Sequence, residues 1–591
     1  MTTTHPRRFQ VPWRPRSPLG RGVARLIERP LARALALDEL DAIYARAEGP
    51  GGPGELCRRA LDDLGVRAQL DPREAARIPA RGPVVVVANH PHGILDGLVL
   101  GSVLARARPD VKLLANDVLA GLPGLSALFL AVDPFGGAGA PRRNLGALRQ
   151  ALRWLEQGGL VALFPAGEVS HLDLRAGRVS DPAWSECAAW LARRAGAPVV
   201  PVHLAGQNSA LFQLAGLVHP RLRTALLPRE LLRKQDTTVR VRVAPAASLP
   251  AGRDPVLATA LLRGRCELLG VTSTRSVAAG AADPAEALAL PEDPAALAAE
   301  VAGLGPAARL LESGDHAVLL LRGDEAPALL RELGRLRELT FRAVGEGTGR
   351  ARDLDRFDLD YLHLVVWSRA RRAILGAYRL GPTDELLRRG GPDAVYTRTL
   401  FRWDRRLLER LGPALELGRA FVRPEDQRAH APLALLWRGI GRFVARHPRY
   451  RRLFGPVSLS ARLDPLARRL IVAHLETRRD EELATLVRAP RPPAGGPLPV
   501  DEALLTDPDA VAQLVDAVEP AGVPVLVRQY VRLGARFLAA SVDPDFASSL
   551  DCLVVLDLAA AERRLLERTL GKAEAATLLA ALAPPPLRRA G

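Results

Sequence analysis

Five residues, VVVVA at Val84–Ala88, constrain the fold of this chain more than any other stretch. A strand with one wet face alternates apolar and polar side chains. An unbroken apolar run is covered on both sides and belongs inside a parallel sheet. The residues beyond it fit that expectation. Leu95 to Ala107 has helical character, KLLAN at 112–116 reads as a strand, and Arg143 to Glu156 has helical periodicity closed by Gly158-Gly159. Strand LVALF at 160–164, a helix over 183–196 and strand PVVPVHL at 198–204 follow. Strands alternating with helices predict an α/β layer architecture with a largely parallel sheet.

A chain of 591 residues exceeds what one core supports. Residues 271–305 shift to Ala, Pro and acidic side chains without aromatics and read as a linker, partly helical. The expected division is a basic helical lead-in (1–80), a first domain (81–270), the linker (271–305) and a second domain (306–591). In the second domain LHLVVW (362–367) and AILGAYRL (373–380), joined by SRARR, predict a hairpin. ALELGRAFV (414–422) and FGPVSLS (454–460) predict two more strands. Residues 432–448 predict an amphipathic helix with Leu433, Leu436, Trp437, Ile440 and Val444 on one face.

The formal charge of +17 is carried almost wholly by Arg, since Lys occurs only at 112, 234 and 572. A GC-rich genome produces that balance by codon bias alone. The sharper alternative is an anionic partner: lipid headgroups, nucleic acid or an acidic carrier protein. No zinc-finger, RNA-binding aromatic or helix-turn-helix pattern stands out, which ranks nucleic acid last. Residues 1–35 hold eight Arg against one Glu, interleaved with Phe9, Trp13 and Leu19. They match either a segment lying on an anionic bilayer or a basic arm followed by an ordinary helix. The best apolar stretch, Val118 to Val132, is short and broken by Gly121, Pro123 and Gly124, so peripheral attachment is expected rather than spanning. The first residues hold no apolar h-region of a secretory signal. Cys57, Cys187, Cys266 and Cys552 form no C-x-x-C pair, so neither a disulfide framework nor a metal site is expected, as befits a reducing cytoplasm.

After the valines come Asn89, His90, Pro91 and His92, then Gly93 and Asp96. A His at the carboxyl end of a buried parallel strand sits where α/β sheets hold ligands. Gly93 lets the chain turn. A carboxylate in the first turn of the next helix can hold one imidazole nitrogen and leave the other free to take a proton. The same pair also occurs as plain structure. The wider pattern resembles the lysophospholipid acyltransferase family, through four blocks in order: NHPHGILDG (89–97), VDPFGG (132–137) with Arg142, Arg143 and Asn144, FPAGEVSH (164–171), and VVPVHLAGQNS (199–209). The resemblance implies that His90 is the base and Asp96 its partner, with Arg143, Gly167 and Glu168 at the substrate. Five residues separate His90 from Asp96 where the family usually has four, a pattern similar to its bacterial, hemolysin-labelled branch. His92 is the substitute base. The third block usually reads FPEGTRS; here Ala166 and Val169 stand at the Glu and Arg positions, which removes the bidentate partner for a phosphate. A phosphate-free acceptor is the expectation. No G-x-S-x-G elbow occurs, and direct transfer without an acyl-enzyme is implied.

The second domain resembles the ornithine N-acyltransferases over RELTFRAVGEGTGRARDLDRFDLDYLHLVVW (337–367), GAYRL (376–380), YTRTLF (396–401) and ELGRAFVRPEDQR (416–428). Those enzymes are similar to acyl-homoserine-lactone synthases and share a GNAT-like α/β fold. The resemblance implies Arg342, Asp355, Asp358 and Arg379 as charged residues at the substrate. It implies Glu416, in an E-x-x-R element with Arg419, as the catalytic residue that manages the amine proton. Positions three apart on a strand face opposite sides unless a bulge intervenes, and Gly418 is the place for one. A structural ion-pair cluster is the alternative. The cradle Q/R-x-x-G-x-G/A that wraps a pyrophosphate is missing after Val422. Acyl carrier protein, presenting its phosphopantetheine to a basic face, is therefore expected as donor ahead of acyl-CoA.

One domain of each kind resembles the bifunctional ornithine lipid synthases. That implies N-acylation of ornithine from 3-hydroxyacyl carrier protein, then O-acylation of the lyso-aminolipid at the inner face of the cytoplasmic membrane. The rivals are a glycerophospholipid acyltransferase with an accessory second domain, a hemolysin-like membrane protein, and a synthase of a soluble acylated signal.

Overall fold

The computed structural model describes residues 35–116, 124–132, 140–174, 177–250, 252–271 and 285–582, without the side chains of 116, 140–143 and 220–221. Contacts divide it into two units, one reaching Thr272 and the other running from Ser273, with short pieces near 499–504 and 516–518 assigned to the first.

The first unit is built on strands β1 (Arg67–Leu70), β2 (Val84–Ala88), β3 (Val111–Asn116), β4 (Phe129–Val132) and β5 (Leu160–Leu163), a separate hairpin of β6 (His171–Asp173) and β7 (Arg178–Ser180), then β8 (Val199–Leu204) and β9 (Thr238–Val243). Seven of these form one sheet in the order β1-β9-β8-β2-β5-β3-β4, with β8–β9 its antiparallel pair. The valine run is β2, between β8 and β5. Val84, Val86 and Ala88 enter one core, beneath helices Leu37–Ala47, Pro53–Asp63 and Ile94–Ala107. Val85 and Val87 enter the other, beneath Ala140–Glu156, Cys187–Ala195 and Pro255–Gly270. Each buried valine contributes roughly 1.5–3 kcal/mol, which is why the strand lies between two helical layers and not at a surface.

The second unit carries β10 (Arg309–Ser313), β11 (His316–Arg322), β12 (Leu362–Ser368), β13 (Ala373–Pro382), β14 (Arg402–Trp403), β15 (Ala414–Val422), β16 (Arg452–Leu459), β17 (Val487–Arg488), β18 (Arg536–Asp543) and β19 (Ser549–Asp557). Eight form a sheet ordered β10-β11-β12-β13-β15-β16-β19-β18, while β14 pairs with β17. Helix Pro327–Ala343 packs Leu329, Leu333 and Leu336 against Val365 and Trp367 of β12. On the opposite face Gly439 of helix Ala431–Arg446 approaches Val318 and Leu364 so closely that a Cβ there would stand 2.7 Å from Val318 Cγ1. Within the sheet β15 and β16 are parallel, and they pair only over Ala414–Glu416 and Arg452–Phe454 before parting.

Two boundaries differ from the sequence expectation. The 1–80 lead-in supplies β1, paired with β9, and two helices of the first core, so from residue 35 it belongs to the domain. Its amphipathic helices need the sheet to bury their apolar faces. Of the 271–305 linker, residues 272–284 are outside the described residues. Pro294–Gly303 is a helix packed on Pro327–Ala343, and the amides of Glu286 and Ala289 bond the carbonyls of Gly349 and Ala351. Low complexity hid an element whose small side chains suit close packing. The basic segment 1–34 and the block 133–139 also fall outside the described residues. Among those described, no helix is long and apolar enough to cross a membrane.

Candidate active sites

In the first unit β2 delivers His90 just beyond its carboxyl end, and Gly93, at φ 84°, makes the turn into helix Ile94–Ala107. Asp96 is the third residue of that helix, fully buried, and caps it by accepting the Gly93 amide at 2.9 Å. The same oxygen, Oδ2, accepts the His92 amide at 2.8 Å and faces His90 Nδ1 at 2.9 Å. Oδ1 has no hydrogen-bond partner. One carboxylate oxygen thus shapes the turn and fixes the tautomer, leaving His90 Nε2 as the basic nitrogen. The imidazole also stacks on Phe164, with centroids 4.2 Å apart and planes 19° from parallel. The His90 backbone is held at both ends: its amide donates to Asp181 at 3.2 Å, and its carbonyl accepts from the Ser170 amide at 2.8 Å. Asp181 also accepts from Ser170 Oγ and, at 2.9 Å, from Trp184 Nε1. The sequence analysis did not single out Asp181, which lies outside all four blocks.

His90 opens on a cavity of about 500 Å³ whose walls include Leu114, Phe129, Leu148, Phe164 and Trp184. His92 faces away, with Nε2 3.2 Å from the Ala205 carbonyl, so it has no part as an alternative base. Gly167 lines the cavity at φ 68°, but its amide donates to Phe164 O at 3.0 Å and is not free to hold an oxyanion. Glu168 pairs with Arg223 at 2.7 Å, and both line the cavity. This corrects the argument from the third block: a guanidinium does reach the site, carried by helix Pro220–Ala225 from outside every block, though it is already neutralised by Glu168. Arg143 falls in helix Ala140–Glu156, and its side chain lies outside the described residues.

In the second unit the residues of the second resemblance converge, with one exchange. Arg379 Nη1 bonds Asp355 at 2.7 Å and Asp358 at 3.2 Å. Arg337, fully buried, bonds the same Asp358 oxygen at 2.6 Å and faces His363 Nδ1 at 3.2 Å. These two guanidiniums hold Asp358 far below the usual carboxylate range against its burial. Burial beside Arg337 drops His363 to about 4, so it is neutral. Arg342, the expected residue, instead bonds Glu338 at 2.7 Å and the carbonyls of Glu286 and Arg350. Helical spacing explains the exchange: five residues along Pro327–Ala343 turn the side chain to another face.

A bulge is present, one residue beyond the expected Gly418, which itself pairs with Arg379. Arg379 faces Gly418 and Ala377 faces Phe421, so Arg419 and Ala420 together oppose Tyr378. Arg419 takes the left-handed conformation, φ 49°, and swings to the side of Glu416. Its Nη1 donates to Tyr396 Oη at 3.0 Å, and its Nε pairs with Asp353 at 3.0 Å. Glu416 accepts the Thr397 amide at 2.7 Å, the Tyr396 amide at 3.1 Å and the Tyr361 hydroxyl. Burial raises its pKa above the ordinary carboxyl range. Both oxygens are thus occupied within the protein, and the geometry gives Glu416 a holding role where the sequence implied proton transfer. Tyr361, Tyr396, Asp353 and Arg337 escaped the sequence analysis, although all except Tyr396 lie in the quoted stretch 337–367.

Comparison with known proteins divides in the same place. Residues 70–205 match the family model described as Acyltransferase, and residues 336–438 match that of the Acetyltransferase (GNAT) domain. The chain therefore carries two acyltransferase-class domains, a glycerolipid-acyltransferase-like one followed by a GNAT one. The Glycine N(alpha)-acyltransferase of Bacteroides thetaiotaomicron is 33% identical over 190 residues, covering 30% of this chain and 56% of that protein. The Lyso-glycine lipid O-acyltransferase of Phocaeicola vulgatus is 27% identical over 193 residues, covering 32% and 65%. The chain thus spans about half to two thirds of the curated relatives it matches. The crystal structure of the 1-acyl-sn-glycerophosphate acyltransferase from Thermotoga maritima aligns at 17% identity and a TM-score of 0.25 over 43% of this chain and 98% of that one.

Proposed function

We propose that this chain makes a diacylated aminolipid in two steps: the second unit N-acylates an amino acid with a 3-hydroxyacyl group, and the first unit esterifies the resulting 3-hydroxyl. The observation that carries the reading is that one chain is similar to both a glycine N-acyltransferase and a lyso-glycine lipid O-acyltransferase. Ornithine is the amino acid the sequence implies. The donor is acyl carrier protein, in keeping with the missing pyrophosphate cradle and the net charge of +17. The protein works at the inner face of the cytoplasmic membrane, attached peripherally.

In the O-acylation the acceptor hydroxyl approaches His90 Nε2. As its oxygen attacks the thioester carbonyl, the proton passes to the imidazole, and Asp96, 2.9 Å from Nδ1, stabilises the imidazolium. Collapse of the tetrahedral adduct breaks the C–S bond, and the proton leaves with the thiol. The apolar cavity takes an acyl chain and excludes water that would hydrolyse the thioester. In the N-acylation the neutral amine attacks the thioester carbonyl beside the Arg379–Asp355–Arg419 network, the C–S bond breaks, and the proton lost from nitrogen leaves with the thiol, while Glu416 holds the Tyr396–Thr397 turn in place.

Expression in a bacterium without aminolipids, followed by lipid mass spectrometry, tests the reading. The intact chain is expected to yield a diacyl aminolipid, and Glu416→Ala neither acylated form. His90→Ala should leave the monoacyl lyso lipid, its O-acylation reduced by roughly 10²–10⁴. Undiminished diacyl product from His90→Ala refutes the role of the first unit.

A further inference from the structure

The ion pairs of the second unit leave a surplus. Arg337, Arg379 and Arg419 are matched by Asp353, Asp355 and Asp358. Three more buried carboxyl groups, Glu346, Asp543 and Asp551, join no ion pair among the described residues. Glu346 accepts only the Ser458 hydroxyl, at 3.0 Å, and Asp543 the Asp545 amide, at 3.0 Å. Among the described residues no hydrogen bond reaches the Asp551 side chain, which is 5% exposed.

Sheet register puts them on one face. Asp551 lies opposite Ser541 on one side and Ser458 on the other, and Asp543 lies opposite Ser549. Opposed residues of an antiparallel pair point the same way, and alternate residues along a strand share a face. Ser549 is fully buried, its hydroxyl has no partner, and it stands on that face. Asp551 lies within electrostatic reach of Asp543, Glu346 and Arg419. The group adjoins the reaction centre: Arg419 bonds Tyr396 and lies 4.8 Å over the Phe546 ring, in the turn between Asp543 and Ser549. Buried negative charge without a counter-ion is costly, and an unpartnered hydroxyl beside it leaves an acceptor for a hydrogen-bond donor.

We propose that Glu346, Asp543, Asp551 and Ser549 form the pocket for the second ammonium group of a diamino-acid substrate, leaving its other amine to attack the thioester. The proposal rests on the N-acyltransferase reading of the second unit and selects a dibasic amino acid over glycine, the amino acid in the names of the N-acyltransferase relatives. Both aspartates and the serine lie beyond the 336–438 span that matches the GNAT domain model.

The test compares N-acylation of L-ornithine, L-norvaline (the same carbon chain without the second amine) and glycine by the full chain, with 3-hydroxyacyl carrier protein as donor. The expected kcat/KM for ornithine exceeds that for norvaline by ~100-fold, the worth of a charged hydrogen bond. Asp551→Asn should bring the ratio near unity, mainly by raising KM for ornithine. Asp543→Asn, which keeps an oxygen for the Asp545 amide, should shift the ratio the same way if either variant folds poorly. Equal use of norvaline and ornithine by the intact protein, or ratios unmoved in both variants, overturns the pocket while the N-acyltransferase reading stands. No acylation of any amine overturns both.

Discussion

The first unit places its chemistry in a His–Asp pair whose histidine faces an apolar cavity; the second buries at least six charged groups around one another. In the first, three donors converge on Asp96 Oδ2, so the site is a terminus of the fold and not a part of its core. In the second, Arg337, Arg379, Asp353 and Asp358 lie inside the core, and each charge depends on its neighbours to offset desolvation. The difference teaches that a sparse site fails in its chemistry when altered, whereas a dense one fails in its folding.

That contrast is open to attack by substitution. Arg337→Met strips Asp358 of its shortest ion pair and is expected to destabilise the second unit by ~3–5 kcal/mol. Hydrogen exchange read separately over β2 and β12 checks it, and equal loss in both breaks the contrast. Glu346 adds a pH dependence. Burial raises it from 4.5 to about 7, so its protonated form belongs to the folded state. The stability it contributes is present below pH 4.5 and is lost as pH rises through about 7. Glu346→Gln should therefore stabilise the ligand-free protein at pH 8 relative to pH 5, by at most ~3 kcal/mol. Denaturant titration at both values decides; a gain of equal size at each would assign Glu346 no titration in this range.

Asp96→Asn is the cleanest variant of the first unit. One amide oxygen can replace Oδ2 for all three donors, so denaturant midpoints should barely move. O-acylation should fall on the order of 100-fold because the imidazolium loses its counter-charge. A large stability change would show that the charge itself holds the turn. The smallest effect is expected from Tyr361→Phe, which removes one of three donors to Glu416 at about 1 kcal/mol. Complete loss of N-acylation there, with the fold intact, would make the tyrosine hydroxyl a participant in the reaction.

Local pattern carried much of this far. The valine run announced a doubly covered strand, and its end located His90; Gly93 and Asp96 lie close enough along the chain for the capped turn to be read directly. LHLVVW and AILGAYRL form the antiparallel pair β12–β13, and ALELGRAFV is β15 from end to end. The bulge at Arg419 was legible because E-x-x-R on a strand needs one.

Other features depend on elements far apart in sequence. Which of two arginines on one helix faces Asp358 is set by where that helix docks, so Arg337 could not be told from Arg342. Arg223 meets Glu168 across 55 residues, and Asp551 meets Ser458 across a strand pair. The sequence by itself determined the two domains, several of their strands and the His–Asp pair, because each follows from periodicity or contiguous spacing. Only the tertiary structure decided which charges are matched and that Glu346, Asp543 and Asp551 are not, since compensation in a low-dielectric interior depends on distances that spacing along the chain does not encode.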